Sequence, residues 1–213
     1  MSVLGYFDDA YYVNLEEATK RRALMEAELL RMGMQAHRVQ SIPATDNSRR
    51  ARQVSLLKTL ISIMEDAKSR NLKNVLIMED DNEFAPGFWN HWETAKDFLN
   101  NNPWDVFYFY RNIYYETDAV RHYDPNTEFK IVQIYENFCL NCCAFSSRVF
   151  DNVLLRWGHM MAQGKGADEL FWQSHTRLGD IKIYAPTLNL AGQREGDSFI
   201  EQYFIPKRWH LAE

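Results

Sequence analysis

The residues that carry the most chemistry are three adjacent carboxylates, Glu79-Asp80-Asp81, directly after the apolar run Asn74-Val75-Leu76-Ile77-Met78. Neighbouring carboxylates repel one another and lose hydration when buried unless a cation neutralises them. In an extended segment side chains alternate, so Glu79 and Asp81 would face one side and Asp80 the other. The first pair suits one hard divalent ion, Mg2+ or Mn2+, whose shell is completed by substrate phosphates. Asp80 is then left to hold a ribose or sugar hydroxyl. The same triplet also reads as a solvated acidic loop, but its place at the end of a core strand favours the metal.

Two further groups have chemistry to offer. Arg21 and Arg22 follow Tyr11-Tyr12-Val13-Asn14-Leu15 on the first turns of a helix. Arginine grips phosphate with two parallel hydrogen bonds, so one of them can reach a nucleotide; the plainer reading pairs them with Glu16 or Glu17. Asp168-Glu169, just past Gly164-Lys165-Gly166, offers a general base at a helix start, or simply a helix cap. Tyr114 and Tyr115 fall in an irregular aromatic stretch where a ring can stack on a sugar or a base.

Other chemistries lack support. The six histidines show no ligand spacing, and there is no Gly-x-Ser-x-Gly elbow, P-loop or Gly-x-Gly-x-x-Gly. A two-metal phosphodiesterase or nuclease would need a second carboxylate or histidine set, which the spacing does not supply. Cys139, Cys142 and Cys143 form one odd cluster without a second ligand pair. They read as buried thiols in a strand, in a reducing compartment.

The elements that must position these groups can be read in order. A short aromatic and β-branched strand lies near Tyr11 to Leu15, and a helix with Met25, Leu29 and Met32 on one face ends at Gly33. A second strand surrounds His37-Arg38-Val39. Asp46-Asn47-Ser48 then caps a long helix with Leu57, Leu60, Ile61 and Met64 inward. The run from Asn74 to Met78 reads as a central strand buried on both faces. After a helix from Phe88 to Leu99 come strands at Asp105–Tyr110, Lys130–Ile134 and Cys139–Phe145. A helix from about Ser147 to Met161 follows, and Ile181–Tyr184 closes the sheet. The alternation predicts an α/β domain, parallel in its first half and mixed later. In such sheets ligands bind beyond the carboxyl ends of the strands, where Asn14-Leu15 and the acidic triplet stand.

Composition bounds the rest. With 213 residues, 46% hydrophobic and 25% charged, the chain is sized for one globular domain with a full core. A net charge of -5 speaks against duplex nucleic acid as a partner. No apolar stretch is long enough for a membrane span, and Met1 to Asp9 is not a signal peptide. The expected setting is cytoplasmic, with room for peripheral contact at the inner membrane through the aromatic-basic tail Phe199 to Trp209.

The order of these features resembles glycosyltransferase family 25, the lipopolysaccharide-type galactosyl- and glucosyltransferases and the collagen galactosyltransferases. The resemblance rests on Tyr12-Val13-Asn14-Leu15 with Arg21, on Glu79-Asp80-Asp81 after its strand, and on Ala167-Asp168-Glu169. Pro186-Thr187-Leu188 with Gln193 and Ser198 completes it. It implies a GT-A-like single domain over residues 1–213, with a mixed, mostly parallel central sheet flanked by helices and a C-terminal arm or lid over about 186–213. It further implies a nucleotide-sugar donor, usually a UDP-sugar, a Mn2+ or Mg2+ ion, and an inverting transfer to a glycan, lipid-linked or protein hydroxyl. On that reading Asn14, Leu15, Arg21 and Asp80 lie at the donor with Gln193 and Ser198. Glu79 and Asp81 hold the metal, and Asp168 or Glu169 is the base. Where the family commonly has Gly-Glu-x-Gly-Cys…Ser-His, this chain reads Arg52-Gln53-Val54-Ser55-Leu56. That departure keeps open an inactive GT-A-like module that binds nucleotide or glycan.

Overall fold

The computed structural model describes residues 4–111, 128–134, 137, 140–165, 181–197 and 204–205. In chain order the main elements are β1 (Asp9–Asn14), α1 (Thr19–Arg31), β2 (His37–Gln40), α2 (Arg49–Ser69) and β3 (Asn74–Glu79). They continue with β4 (Asn82–Phe84), α3 (Phe88–Asn101), β5 (Val106–Tyr108), β6 (Ile131–Gln133) and β7 (Cys142–Ser146). After them come α4 (Phe150–Gln163), β8 (Ile183–Pro186), β9 (Ala191–Gln193), β10 (Gly196–Asp197) and β11 (Phe204–Ile205).

A seven-stranded sheet in the order β2-β1-β3-β7-β5-β8-β6 forms the middle layer. β1 is parallel to both β2 and β3, β7 is antiparallel to β3 and β5, and β8 is parallel to β5 and antiparallel to β6. All strands but β7 and β6 therefore run in one direction. The expected mixed, mostly parallel sheet is present.

Alternation along each strand sends side chains to two cores, one on each face. Val13, Val75, Ile77 and Phe145 pack against Leu57, Leu60, Ile63 and Met64 of α2 and Val153 and Trp157 of α4. Ala10, Tyr12, Leu76, Met78 and Ala144 pack against Met25 and Leu29 of α1 and Phe88, Trp92 and Leu99 of α3. β3 carries burial on both faces along Val75 to Met78, which its uninterrupted apolar run foreshadows. Ile63 takes the inward place on α2, and Ile61 sits at the margin of the core.

Helix ends follow ordinary rules. The Ser48 side chain accepts a hydrogen bond from Ala51 N and caps α2. Gly164 ends α4 in the left-handed conformation at φ 66°. Cys142 and Cys143 are buried free thiols in β7, as their clustering suggests. Among the described residues no helix is long and apolar enough to cross a membrane.

Two elements depart from the sequence reading. The residues after the acidic triplet form β4 rather than loop, and the segment after β8 returns as β9, antiparallel to β4 in the register Asn82↔Gln193. Each strand is three residues long, too short to show an alternation pattern.

Candidate functional site

β1 and β3 lie side by side and in register, with Val13 opposite Glu79. Their carboxyl ends therefore deliver Asn14 and the acidic triplet to one edge of the sheet. Glu79 is the last residue of β3, and Asp80 and Asp81 form the tight turn into β4. The chain is not extended there, so alternation does not apply and the two aspartates stand side by side. Both are buried, at 6% and 9% exposure, which sets aside the solvated-loop reading.

Burial of two adjacent carboxylates demands compensation, and every carboxylate oxygen receives it. Arg21, from the first turn of α1, places one guanidinium nitrogen between them, 2.9 Å from Asp80 Oδ1 and in contact with Asp81 Oδ2. The Asn14 amide donates to Asp80 Oδ2 at 2.6 Å. Asn141, just before β7, donates to Asp81 Oδ1 at 2.8 Å, and Gln193 of β9 donates to Asp81 Oδ2 at 3.0 Å. The Asp81 carbonyl accepts from Arg194 N at 2.7 Å. Asn14 is itself oriented by Arg38 of β2, whose Nε donates to its Oδ1 at 2.9 Å. Desolvation raises the Asp80 carboxyl to about 6, and neighbouring Asp81 pushes the same way; Arg21 and the Asn14 hydrogen bond pull it down.

A second contact fixes α1 relative to the turn. Buried Glu28 accepts from Phe84 N of β4 at 2.6 Å. Arg31 pairs with Glu28 and donates to Phe84 O at 3.0 Å. The helix that carries Arg21 is thus bolted to the strand that follows Asp81.

Asn14, Arg21, Glu79, Asp80, Asp81 and Gln193 line a cavity of about 110 Å³ together with Leu15, Arg52, Ser55 and Leu56. Of the residues expected at the site, the structure brings Asn14, Leu15, Arg21, Glu79, Asp80, Asp81 and Gln193 to this one cavity. Arg22 pairs instead with Glu26 on the surface of α1. Asp168, Glu169, Ser198, Tyr114 and Tyr115 lie outside the described residues. Arg38, Arg52, Ser55 and Asn141 are additions that the sequence reading did not single out. Asn141 had a signal: an amide inside the apolar run Leu140-Asn141-Cys142-Cys143-Ala144-Phe145 needs a buried partner.

Carboxylate oxygens, the kind of hard donor that Mg2+ or Mn2+ takes, line the cavity. Three carboxylates line the cavity, and a guanidinium already sits between two of them, marking a place where positive charge is stabilised. Among the described residues no cluster of three or more His, Cys, Asp or Glu side chains could enclose a metal by itself. An ion of the Mg2+ type commonly takes one or two carboxylates and completes its shell with water and substrate phosphates.

No protein-family model matches the sequence, and no curated protein matches it. Among solved structures, the chain is similar to a glycosyltransferase involved in the glycosylation of the major capsid of PBCV-1. That match has TM-score 0.53 and 10% identity, over 83% of this chain and 80% of that one. A197 from STIV is similar at TM-score 0.46 and 12% identity, over 96% of each chain. The CTP:phosphocholine cytidylyltransferase LicC of Streptococcus pneumoniae is similar at TM-score 0.40 and 7% identity, over 87% of this chain and 92% of that one. The first likeness, with the sheet order and its helical layers, defines the fold as GT-A-like.

Proposed function

We propose that this chain is a glycosyltransferase that moves a sugar from a nucleotide-sugar donor, a UDP-sugar in the first instance, to a hydroxyl of a glycan, lipid-linked or protein acceptor. The observation that carries this reading is the buried Asp80-Asp81 turn at the carboxyl ends of β1 and β3, facing one cavity with Asn14, Arg21 and Gln193. Ligands of open α/β sheets bind in that position. The resemblance to family 25 belongs to the same proposal.

Asn14, Leu15, Arg21 and Asp80 bind the nucleotide side of the donor, and the family 25 resemblance adds Gln193 and Ser198 to the same side. Asp81 would hold Mn2+ or Mg2+ together with Glu79, the partner expected from the sequence, and Asp80, which the turn sets beside it. When bound, the ion supplies positive charge that offsets the charge growing on the leaving diphosphate. Arg21 adds a second cation, with a fork matched to phosphate. Asp168 or Glu169 takes the proton from the acceptor hydroxyl as its oxygen attacks the anomeric carbon from the face opposite the leaving group. One base suffices for such a single displacement, which inverts the anomeric centre.

The test is the melting temperature with UDP, GDP and CMP, each with and without Mn2+, for the wild type and Asp81→Asn. At a hundredfold excess over Kd a ligand of the folded state adds about 2.7 kcal/mol, or roughly 5–10 °C at this chain length. A Mn2+-dependent rise with one nucleotide, absent in Asp81→Asn, is the expected result. No rise with any nucleotide would overturn the proposal. Saturable nucleotide binding without a transfer product in excess acceptor would instead identify a binding module, the reading that the Arg52–Leu56 departure favours.

A further inference from the structure

The cavity presents a physical conflict that the proposed reaction has to resolve. The position between Asp80 and Asp81, where a divalent cation would be drawn most strongly, is filled by the Arg21 guanidinium. The remaining carboxylate oxygens accept from Asn14, Asn141 and Gln193. A metal entering the nucleotide-free protein must therefore displace a charge-assisted contact in a buried setting, and it finds too few protein ligands to repay that loss. A nucleoside diphosphate changes both terms. It offers the guanidinium an alternative anion, and it supplies the metal's missing oxygen ligands.

We infer that Arg21 is a resident cation that keeps the Asp80-Asp81 pair closed to divalent metal until a nucleoside diphosphate draws it away. The inference rests on the nucleotide-sugar reading for the identity of that anion, but not for the competition between Arg21 and metal. Arg21 is placed for this exchange in the first turn of α1, at the wall of the cavity. Its side chain keeps 22% exposure at the cavity wall, while Asp80 and Asp81 are fixed by the turn and by their amide donors. The Glu28–Phe84 contact holds the helix backbone still, so only the side chain has to move. A divalent ion replaces a monovalent guanidinium at the two aspartates and neutralises both carboxylates, and the guanidinium then faces the added phosphates.

The experiment measures Mn2+ binding by electron paramagnetic resonance on the full chain, for the wild type, Arg21→Gln and Arg21→Lys, first without nucleotide and then with UDP. Circular dichroism melting accompanies each variant. Without nucleotide, Arg21→Gln is expected to bind Mn2+ at least tenfold more tightly than the wild type. Arg21→Lys, which keeps the charge but lacks the planar fork, falls between them. UDP should tighten Mn2+ binding to the wild type at least tenfold and to Arg21→Gln far less. If Arg21→Gln folds and binds Mn2+ no more tightly than the wild type, the inference is overturned. Should Arg21→Gln not fold, the lysine variant decides, and equal affinity in Arg21→Lys and the wild type overturns it. Tighter metal binding in Arg21→Gln with no response to UDP, GDP or CMP supports the metal exclusion and removes the nucleotide reading instead.

Discussion

At the scale of single residues, burial changes the behaviour of Asp80 at the centre of the candidate site. Its carboxyl rises from 3.8 to about 6, chiefly through desolvation, with Asp81 adding to the rise and Arg21 opposing it. Between about pH 4 and pH 6 the folded, metal-free protein then keeps a proton on Asp80 that the unfolded chain has released. Proton uptake by the folded state makes stability fall as pH rises through that window, and this group adds no further change above it. Asp80→Asn does not titrate, so its stability relative to the wild type should grow by about 3 kcal/mol between pH 4 and pH 7. Urea unfolding of both proteins at several pH values without metal checks this, and a difference that stays constant with pH would show that Asp80 titrates normally. The gathering of Asn14, Arg21 and the acidic triplet at one cavity was legible in the sequence, because Asn14 and the triplet stand at strand ends and Arg21 opens the helix after the first of them. The pairing within the triplet was not legible. Alternation assigns Glu79 and Asp81 to one side only while the chain stays extended, and the turn at Asp80-Asp81 ends that condition.

Elements decide how firmly these groups face one another. α1 has no side-chain N-cap and no acidic residue in its first turn, so its position depends on tertiary contacts. The principal polar contact is Glu28 on Phe84 N, locked by Arg31. Glu28→Ala leaves a buried backbone N–H without its acceptor and removes the carboxylate that Arg31 pairs with, a loss of roughly 2–4 kcal/mol. Glu28→Gln keeps an acceptor for Phe84 N and should lose about half of that. Thermal melting separates the two variants, and equal losses in both would mean that the ion pair with Arg31, rather than the hydrogen bond, secures the helix. The long elements were readable because they are amphipathic or continuously apolar. Met25, Leu29, Leu57, Leu60 and Met64 all lie where helical spacing puts them, and Val75 to Met78 form the buried strand. β4 and β9 were not readable. They exist because their backbones pair with each other and because Glu28 and Arg31 receive β4, and such long-range contacts leave no periodic trace in three residues.

At the scale of the molecule, the described residues build a seven-stranded sheet with a core on each face, and both cores share the same strands. Val75 and Ile77 belong to the face under α2 and α4, and Leu76 and Met78 to the face under α1 and α3. Neither face can lose its helices without exposing strands that the other face needs, so unfolding should be one cooperative event despite the chain length. Leu60 on α2 and Leu99 on α3 are each 3% exposed, on opposite sides of the sheet, and belong to different core clusters. Leu60→Ala and Leu99→Ala should each cost roughly 2–5 kcal/mol, and the double variant should lose their sum within about 0.5 kcal/mol. Calorimetry should show a single transition for the wild type and both single variants. Two resolved transitions, one moved by Leu60→Ala and the other by Leu99→Ala, would mean that the two faces are independent units. The site at the ends of β1 and β3 would then be bounded by two units instead of resting on one. The metal and nucleotide exchange inferred for Arg21 depends on the answer, since a side chain can change partners cleanly only on a frame that does not move with it.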